Sequence, residues 1–537
     1  MAWALRALAI AGLLALPFLP WDGFPGDEDS EAAVKGILSV LSLALVGLGL
    51  LRDPGPRGRA TNGPLVLAAL IAIATYFNLG IFHTDRFHHD WEQFHYTLGA
   101  RYFPELGYDG LYAASVQAQI ESPVEGKVPH SEIRDLRTNQ VVETFSPEAR
   151  AHAAEVEARF TEERWRRFVE DHDHFVRDTS PSHLASMRLD HGFNPPPSWT
   201  FVARLFVGNQ SPLDGARLGA LGAIDYVLLA FAFAFAGRAF GGRDLCLALV
   251  LFGLSYPGRF FWVGGALLRH DWLAAVILGV ALMERRRFAW AGAALGWAAS
   301  VRLFPALFLL GPAIVAARAL IRRERPTWAL RLGAGFAAAV LAALLAGALT
   351  GRGFGAWREF TDAIRLHRDT WLTNNVGFEN VLLYDLETMR RELVDFSLPE
   401  PWIHWQAKMD ALRESRAPML LIGKALLVIL FGFAVAGRDP PRATALGVFP
   451  IFVVFLSTCY YWQMLLLVAF AGSLPLLIAT LLLNAAMWGL HPLTAAFEAR
   501  YGLFSWGLLL VLGGWLALWL RGAIRRARDR GAAGRAA

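Results

Sequence analysis

The chain has 537 residues, of which 55% are hydrophobic and only 18% are charged, and its mean hydropathy is +0.37. Soluble domains contain roughly a quarter charged residues, so this composition excludes an ordinary soluble protein and predicts a polytopic membrane protein. The net charge of +5 is explained by arginines between apolar segments and requires no nucleic acid partner. Cys246 and Cys459 both lie in apolar runs, which argues against a disulfide framework.

Apolar segments long enough to cross a bilayer recur along the chain. A spanning helix needs ~20 mostly apolar residues, and because several segments are short or adjacent we predict about 12–14 spans. The first run lacks a small-residue cleavage site and is predicted to be a retained helix. The predicted spans are 3–21, 35–52, 64–82, 216–236, 244–263, 265–283, 288–303, 305–320, 329–350, 416–436, 442–458, 460–473, 475–490 and 503–520.

Lysine and arginine accumulate in cytoplasmic loops, so their positions predict the orientation of the chain. Arginines follow the second, fourth, sixth, eighth and tenth predicted spans and fill the C-terminal tail, whereas the acidic loop 21–31 falls on the other side. Both termini are therefore predicted to be cytoplasmic. The predicted regions are three N-terminal helices (1–82), an outer loop domain (83–215), membrane helices (216–350), a second outer loop (351–415), C-terminal membrane helices (416–521) and a basic cytoplasmic tail (522–537).

The outer loop domain carries one clear helix start. Ser146 suits the N-cap position and is followed by Pro147 and Glu148, so we predict a helix from there to about Arg177. The segment 121–142 has no clear hydrophobic period and is predicted to be irregular.

The stretch 83–112 groups acidic and histidine side chains directly after the third predicted span. A carboxylate at the rim of a membrane cavity suits a general base that removes a proton from an acceptor hydroxyl, because partial burial raises its pKa. Asp90 is the favoured base, and Glu92 and Asp85 are the alternatives. The competing interpretation is a charged helix end that only solvates the chain as it leaves the membrane.

The histidines of this stretch invite a metal-binding interpretation. Their spacing matches no compact motif such as His-Glu-x-x-His, and histidines near a membrane interface more often form hydrogen bonds. No metal ligand set is therefore assigned to the four residues His83, His88, His89 and His95.

Cationic and polar residues near the outer membrane boundary are candidate substrate ligands. Arg302 lies in an apolar stretch and needs an anionic partner, which is either a phosphate of a lipid-linked substrate or a carboxylate of the chain. Similar candidates begin the sixth predicted span and lie in the second outer loop: Arg269, His270, Asp271, His367, Asn374 and Asn375.

The order of these features resembles the GT-C superfamily of integral membrane glycosyltransferases, and in particular the polyprenyl-phosphate-sugar-dependent mannosyl- and arabinofuranosyltransferase-like proteins. In that family an acidic residue in the first large outer loop precedes an aromatic-rich helix. The similar elements here are Asp90…His95-Tyr96…Gly99-Ala100-Arg101…Gly107-Tyr108…Leu111-Tyr112, Phe193-Asn-Pro-Pro-Pro197, Gly264 to Asp271, Glu284-Arg-Arg-Arg287 and Ala291-Gly292…Arg302-Leu-Phe-Pro305. The resemblance covers most of 64–325 and, more loosely, 351–415. The chain departs from the family in placing this loop after the third span instead of the first.

The resemblance implies an all-α, GT-C-like bundle that transfers a sugar on the outer face of a bacterial plasma (inner) membrane, as in cell-envelope synthesis. The donor would be a sugar on a polyprenyl phosphate carrier, and the acceptor would be a hydroxyl of a lipid, glycan or protein. The acidic residue would act as general base with inversion at the sugar C1, and basic residues would bind the phosphate, with His95, Tyr96 and Arg101 joining the binding residues. A divalent cation, Mg²⁺ or Mn²⁺, remains an open alternative.

Two other functions compete with the transferase. The span count and Arg302 also suit a transporter or lipid flippase that moves its substrate without covalent transfer, although no repeated halves are visible in the sequence. A non-catalytic membrane assembly protein is the third interpretation.

Overall fold

A computed structural model shows a chain that is almost entirely helical. It describes residues 1–52, 62–122, 132–209, 212–368, 370–384, 389–398, 400–494 and 496–536, with the side chains of 367, 368 and 526–536 left out. Its described strands form two small antiparallel pairs, β1 (Glu132–Asp135) with β2 (Gln140–Glu143), and β3 (Asn375–Val376) with β4 (Ser457–Thr458). The predicted all-α class is therefore confirmed.

Seven helical segments in the described residues are long and apolar enough to cross a membrane: Glu28–Arg52, Gly215–Phe240, Phe304–Ile321, Thr327–Gly347, Ala417–Val435, Leu474–Leu493 and Phe497–Arg525. Five shorter apolar segments accompany them: Ala2–Phe18, Gly63–Tyr76, Phe288–Val301, Pro440–Val454 and Cys459–Phe470. These helices confirm a polytopic membrane protein.

The N-terminal part consists of α1 (Ala2–Ala15), α2 (Glu28–Arg52) and α3 (Gly63–Tyr76). Asn62 caps α3, because its Oδ1 accepts a hydrogen bond from the Leu65 amide and its Nδ2 donates one to the Gly49 carbonyl. The cap ties the start of α3 to the last part of α2, so the two helices leave the connection side by side.

The region 83–215, which the sequence predicts to be an outer loop domain, contains short helices: α4 (Asp90–Gln93), α5 (Gly99–Arg101), α6 (Phe103–Leu106), α7 (Leu111–Glu121), α8 (Pro147–Glu157), α9 (Glu162–Asp178), α10 (Pro181–Met187) and α11 (Pro197–Val207). Ser146 caps α8 as predicted, with its Oγ accepting from the Ala149 amide. The predicted continuous helix to Arg177 is wrong. A break follows Glu157, and Thr161 caps a new helix by accepting from the Arg164 amide.

The predicted irregular segment 121–142 is also wrong in its described part. Residues 132–143 form the β1–β2 hairpin, in which Ile133 pairs with Val142 and Arg134 with Val141. Ile133 packs with Val142, Val116 and Ala149, and Val141 is buried, but these apolar residues are too few and too irregularly spaced to produce a visible sequence period.

The central membrane helices are α12 (Gly215–Phe240), α13 (Gly242–Gly253), α15 (Asp271–Glu284), α16 (Phe288–Val301), α17 (Leu310–Ile321) and α18 (Thr327–Gly347), with the single turn α14 (Phe260–Val263) between α13 and α15. Each predicted span in this region overlaps a helix. The predicted spans 244–263 and 265–283 nevertheless extend too far, because the chain from 254 to 270 is mostly non-helical. Pro257, Gly258, Gly264 and Gly265 disfavour a continuous helix there.

The C-terminal part begins with the second outer loop. Its elements are α19 (Gly355–Arg368), α20 (Phe378–Leu383), α21 (Ile403–Ser415), α22 (Ala417–Val435), α23 (Pro440–Ala445), α24 (Val448–Val454), the 3₁₀ helix Cys459–Phe470, α25 (Leu474–Leu490) and α26 (Phe497–Ala536). The β3–β4 pair joins the second outer loop to the chain just before Cys459. The 3₁₀ helix continues from there into the protein interior, where most of its side chains are buried.

Candidate functional site

The loop after α3 is fastened to the non-helical segment 254–270. His83 Nε2 lies 2.8 Å from the Gly264 carbonyl oxygen, and His89 Nε2 lies 2.9 Å from that of Phe261. A carbonyl oxygen only accepts, so each of these ring nitrogens carries a proton and donates. Burial lowers the pKa of His83 to about 3 and that of His89 to about 4, which leaves both rings neutral at pH 7.

The other two histidines of this stretch contact residues of the chain as well. His95 is also engaged, with Nδ1 2.7 Å from the Trp91 carbonyl oxygen and Nε2 2.7 Å from the Tyr112 hydroxyl. His88 Nε2 pairs with Asp90 Oδ1 at 3.1 Å. Within the described ranges, no group of three or more His, Cys, Asp or Glu side chains is arranged to hold a metal ion.

Gly265 sets the distance between the loop after α3 and the segment 254–270. Its φ is +72°, and its carbonyl oxygen accepts from Gln93 Nε2 at 2.9 Å. A Cβ on Gly265 would lie 2.0 Å from the Phe87 carbonyl oxygen. No side chain fits at this point, so the glycine permits the backbone approach that positions α4.

Gly265→Ala is expected to lower the free energy of unfolding by ~1–3 kcal/mol more than Gly80→Ala, because the added methyl overpacks the contact. Gly80 is a matched control, since its φ is +92° and a Cβ there would meet nothing within 4 Å. Thermal unfolding of the purified protein in detergent measures both variants. Equal losses would contradict the steric argument and leave only the cost of the left-handed backbone.

Asp90 and Asp85 both form ion pairs with Arg86. Arg86 Nη1 lies 2.8 Å from Asp90 Oδ2, and His88 binds the other oxygen of Asp90. Burial acts to raise the pKa of Asp90, but the hydrogen bond from His88 and the charge of Arg86 outweigh it, so the pKa is lowered. The Asp85 side chain is 70% exposed and pairs with Arg86.

Glu92 faces a different partner. Its Oε2 lies 2.7 Å from Arg269 Nε, and the two side chains are only 12% and 5% exposed. Burial raises the pKa of Glu92, and the charge of Arg269 offsets only part of that increase. Glu92 is therefore a stronger base than an ordinary glutamate.

Arg269 also contacts the aromatic residues that surround Glu92. Its Nη1 donates to the Tyr96 hydroxyl at 2.7 Å, and that hydroxyl donates to Asn194 Oδ1 at 3.0 Å. The guanidinium also lies over the rings of Tyr96, at 4.4 Å, and Tyr460, at 5.3 Å. We refer to Glu92, Tyr96, Asn194, Arg269 and Tyr460 as the Arg269 cluster.

A buried aspartate on α12 holds the backbone of this cluster in place. Asp225 Oδ2 accepts from the amides of Arg269 at 2.7 Å and His270 at 2.9 Å. His270 Nε2 lies 2.7 Å from Gln463 Oε1, while Gln463 Nε2 donates to the Gly258 carbonyl. His270 thus positions the segment and does not face an open site.

Sequence reasoning missed Asp225 and the role of Gln463. Asp225 is the acidic residue within the predicted apolar span 216–236, and a carboxylate in such a span needs a partner. That rule alone would have singled it out. Gln463 carried no comparable signal, because the Tyr460–Gln463 stretch is also typical of an aromatic belt at a membrane interface.

Asp271 and Arg302 lie beside the cluster. Asp271 begins α15 and is buried, and its Oδ1 accepts from the Trp272 amide at 2.8 Å. Its Oδ2 is buried without a hydrogen-bond partner among the described residues. The charge of Arg302 acts on both Glu92 and Asp271. In the described part of the chain, the Arg302 side chain donates a hydrogen bond only to the Val301 carbonyl, and it forms no close ion pair.

The remaining predicted residues lie elsewhere or at the edge. Arg101 pairs with Asp171 at 3.0 Å in the core of the outer loop domain, where both side chains are fully buried. Asn374 Nδ2 contacts Cys459 Sγ at 3.6 Å, next to Tyr460, whereas Asn375 forms strand β3. The side chain of His367 lies outside the described residues.

The structure therefore brings Glu92, Tyr96, Arg269, Asp271 and Arg302 together from three distant parts of the sequence. The arrangement offers a basic carboxylate, a fixed guanidinium, and a second guanidinium that has a single hydrogen bond to the part of the chain that the structure describes. Comparison with protein-family models, with curated proteins and with solved structures finds no match to this chain.

Proposed function

We propose that the chain is a membrane glycosyltransferase of the GT-C type, which moves a sugar from a polyprenyl phosphate carrier to an acceptor hydroxyl. The observation that carries the proposal is the ion pair between Glu92 and Arg269, with Arg302 close enough to act on the same carboxylate. A base and two cations at a membrane boundary are what the transfer of a sugar from a lipid phosphate requires.

In the proposed reaction, Glu92 removes the proton of the acceptor hydroxyl while the oxygen of that hydroxyl forms a bond to the sugar C1. The bond between C1 and the phosphate oxygen breaks, and the electron pair leaves with the phosphate. Attack opposite to the leaving group inverts the configuration at C1. Arg302 stabilises the charge that develops on the phosphate, and Arg269 keeps Glu92 in position.

Glu92 is a better candidate for the base than Asp90, which the sequence favoured. Both oxygens of Asp90 are already bound by cationic or hydrogen-bonding partners, and its lowered pKa makes it a weaker base. Glu92 combines burial with a raised pKa. Efficient proton abstraction near neutral pH favours the group with the higher pKa.

The orientation and the surroundings of the reaction belong to the same proposal. We place the Arg269 cluster at the outer face of a bacterial plasma membrane, with both termini in the cytoplasm, from the arginine distribution. The bundle would contain about 12–14 spans, since the shorter apolar helices add to the long ones. The acceptor would be a lipid, glycan or protein hydroxyl.

A transporter or flippase remains the second candidate, and one observation favours it. The regular helical structure is interrupted between Gly253 and Asp271, next to the buried charges of Asp225 and Arg269. Transporters bind their substrates at such interrupted helices. The interruption serves either function, but the basic carboxylate has a direct role only in the transferase.

The test uses the purified full-length protein in liposomes with radiolabelled mannosyl- or arabinofuranosyl-phosphoryl polyprenol. The transferase is supported if label leaves the polyprenyl lipid and appears in a new covalent product. Movement of intact labelled lipid across the vesicle membrane, without a new product, would support the flippase instead. Assays with and without EDTA determine whether Mg²⁺ or Mn²⁺ is needed.

The acidic limb of the pH–rate profile is expected to have its midpoint above the ordinary glutamate value of about 4.3. The reason is that a general base works deprotonated, and burial raises the pKa of Glu92, so activity is lost as pH falls through that raised value. Measuring kcat between pH 4 and 9 tests this. A midpoint at or below the ordinary value would contradict Glu92 as the base.

A further inference from the structure

A large cavity lies at the end of the bundle opposite the Arg269 cluster. Its volume is about 650 Å³, and Arg318, Arg438, Ser473, Trp515 and Trp519 are among its lining residues. Arg302 stands just before the 18-residue segment Phe304–Ile321, and Arg318 stands in its last turn. That segment is at least ~27 Å long, about the thickness of a hydrocarbon core. The cavity and the cluster therefore face opposite leaflets.

An apolar groove continues from the cavity along α25 and α26. It has a volume of about 510 Å³, shares Pro475, Trp515 and Leu518 with the cavity, and is also lined by Leu510 and Gly514. Leu510 and Leu518 are 72% and 53% exposed, so the groove opens toward the surrounding lipid. A polar chamber thus leads directly into an apolar channel at the membrane surface.

The polar chamber carries positive charge that the described residues do not neutralise. Among the described residues, neither Arg318 nor Arg438 forms an ion pair, and the neighbouring Asp439 is taken by Arg442 at 2.7 Å. Burial and the charge of Arg442 lower the pKa of Arg438, and the charge of Asp439 offsets only part of that decrease. Ser473 is the N-cap residue of α25, so the partial positive charge of that helix end also faces the chamber. Among the described residues, the Ser473 side chain accepts no hydrogen bond from an amide of the helix.

We propose that the chamber and the groove bind one anionic phospholipid of the leaflet opposite the Arg269 cluster. Its phosphate would lie between Arg318 and Arg438, near Ser473. Trp515 and Trp519 would contact the glycerol region, and an acyl chain would fill the groove beside Gly514. A free phosphate ion would leave the groove empty, and the choline of a zwitterionic lipid would bring a third cation beside the two arginines. The proposal does not rest on the transferase activity.

The charge test compares two double variants of the full-length protein. Arg318→Gln with Arg438→Gln removes the chamber's cations. Arg322→Gln with Arg325→Gln is the matched control, because both residues are exposed, follow the same helix and do not line the cavity. Binding of phosphatidylglycerol and phosphatidylcholine in detergent micelles is measured by native mass spectrometry. The first pair is expected to bind phosphatidylglycerol roughly 10- to 30-fold more weakly, with the control unchanged.

Gly514→Phe tests the groove while leaving both arginines in place. A Cβ on Gly514 or on Gly513 would meet nothing within 4 Å, but only Gly514 lines the groove. Gly514→Phe is expected to weaken the binding of phosphatidylglycerol, because the new side chain would fill the groove, and Gly513→Phe is expected to leave the binding unchanged. Equal binding by these two glycine variants, equal binding by the two arginine pairs, or binding of inorganic phosphate as tight as that of phosphatidylglycerol would overturn the proposal.

Discussion

Glu92→Gln is expected to lower kcat for sugar transfer by about 10²- to 10⁴-fold, the usual contribution of a positioned general base. Glutamine keeps the shape of the side chain and can still accept a hydrogen bond from Arg269, but it cannot take a proton from the acceptor hydroxyl. The KM for the lipid donor is expected to change little, because the proposed phosphate contact comes from Arg302. Steady-state assays with labelled donor measure both quantities.

Two variants of the same loop serve as controls for Glu92→Gln. Asp85→Asn is expected to behave like the unmodified protein, since Asp85 is largely exposed and pairs only with Arg86. Asp90→Asn removes a partner of Arg86 and His88 and is expected to cost far less than Glu92→Gln. If Asp90→Asn is inactive and folded while Glu92→Gln remains active, then Asp90 is the base.

Removing the carboxylate also leaves Arg269 buried without its counter-ion, which by itself can cost about 3–5 kcal/mol of stability. Each variant is therefore compared by its elution on gel filtration and by its unfolding midpoint before its activity is interpreted. Glu92→Asp keeps the charge and so protects the fold. It shortens the side chain by one methylene and is still expected to lose activity, because the base no longer reaches the hydroxyl.

The membrane helices could be predicted from the sequence because hydrophobic length alone indicates them. The same is true of the start of α8, where Ser146 and Pro147 carry a local signal. The break after Glu157 was not predicted, because the apolar spacing continues past it while Thr161 offers the backbone a new cap. Whether the helix continues or a new cap forms depends on the surrounding tertiary contacts, and hydrophobic periodicity carries no information about those contacts.

The choice between Asp90 and Glu92 could not be made from the sequence. The two residues are separated by about 200° around a helix at 100° per residue, so they face nearly opposite directions. Which of them meets Arg269 depends on where the segment 254–270 lies, and that segment is placed by Gly265 and by the amide contacts of Asp225. The sequence singles out the acidic residues of this loop, and long-range packing decides which of them contacts Arg269.

Arg269→Gln is expected to shift the acidic limb of the pH–rate profile upward by about 1–3 pH units, the usual effect of an opposite charge at close range. The charge of Arg269 lowers the pKa of Glu92 against the effect of burial. Without that charge the carboxyl stays protonated to higher pH, so kcat at neutral pH falls and recovers as the pH is raised. The pH dependence of kcat, measured for both proteins, tests this.

Arg302→Gln is the contrasting variant. Among the described residues, Arg302 forms no ion pair with Glu92, and its guanidinium donates a hydrogen bond only to the Val301 carbonyl. The variant is expected to raise the KM for the polyprenyl phosphate donor roughly 10- to 100-fold, as the loss of a charged hydrogen bond to a phosphate would, and to move the acidic limb little. The two arginines then have separate roles, one tuning the base and one binding the leaving group. Identical effects of both variants on KM and on the pH profile would contradict that division.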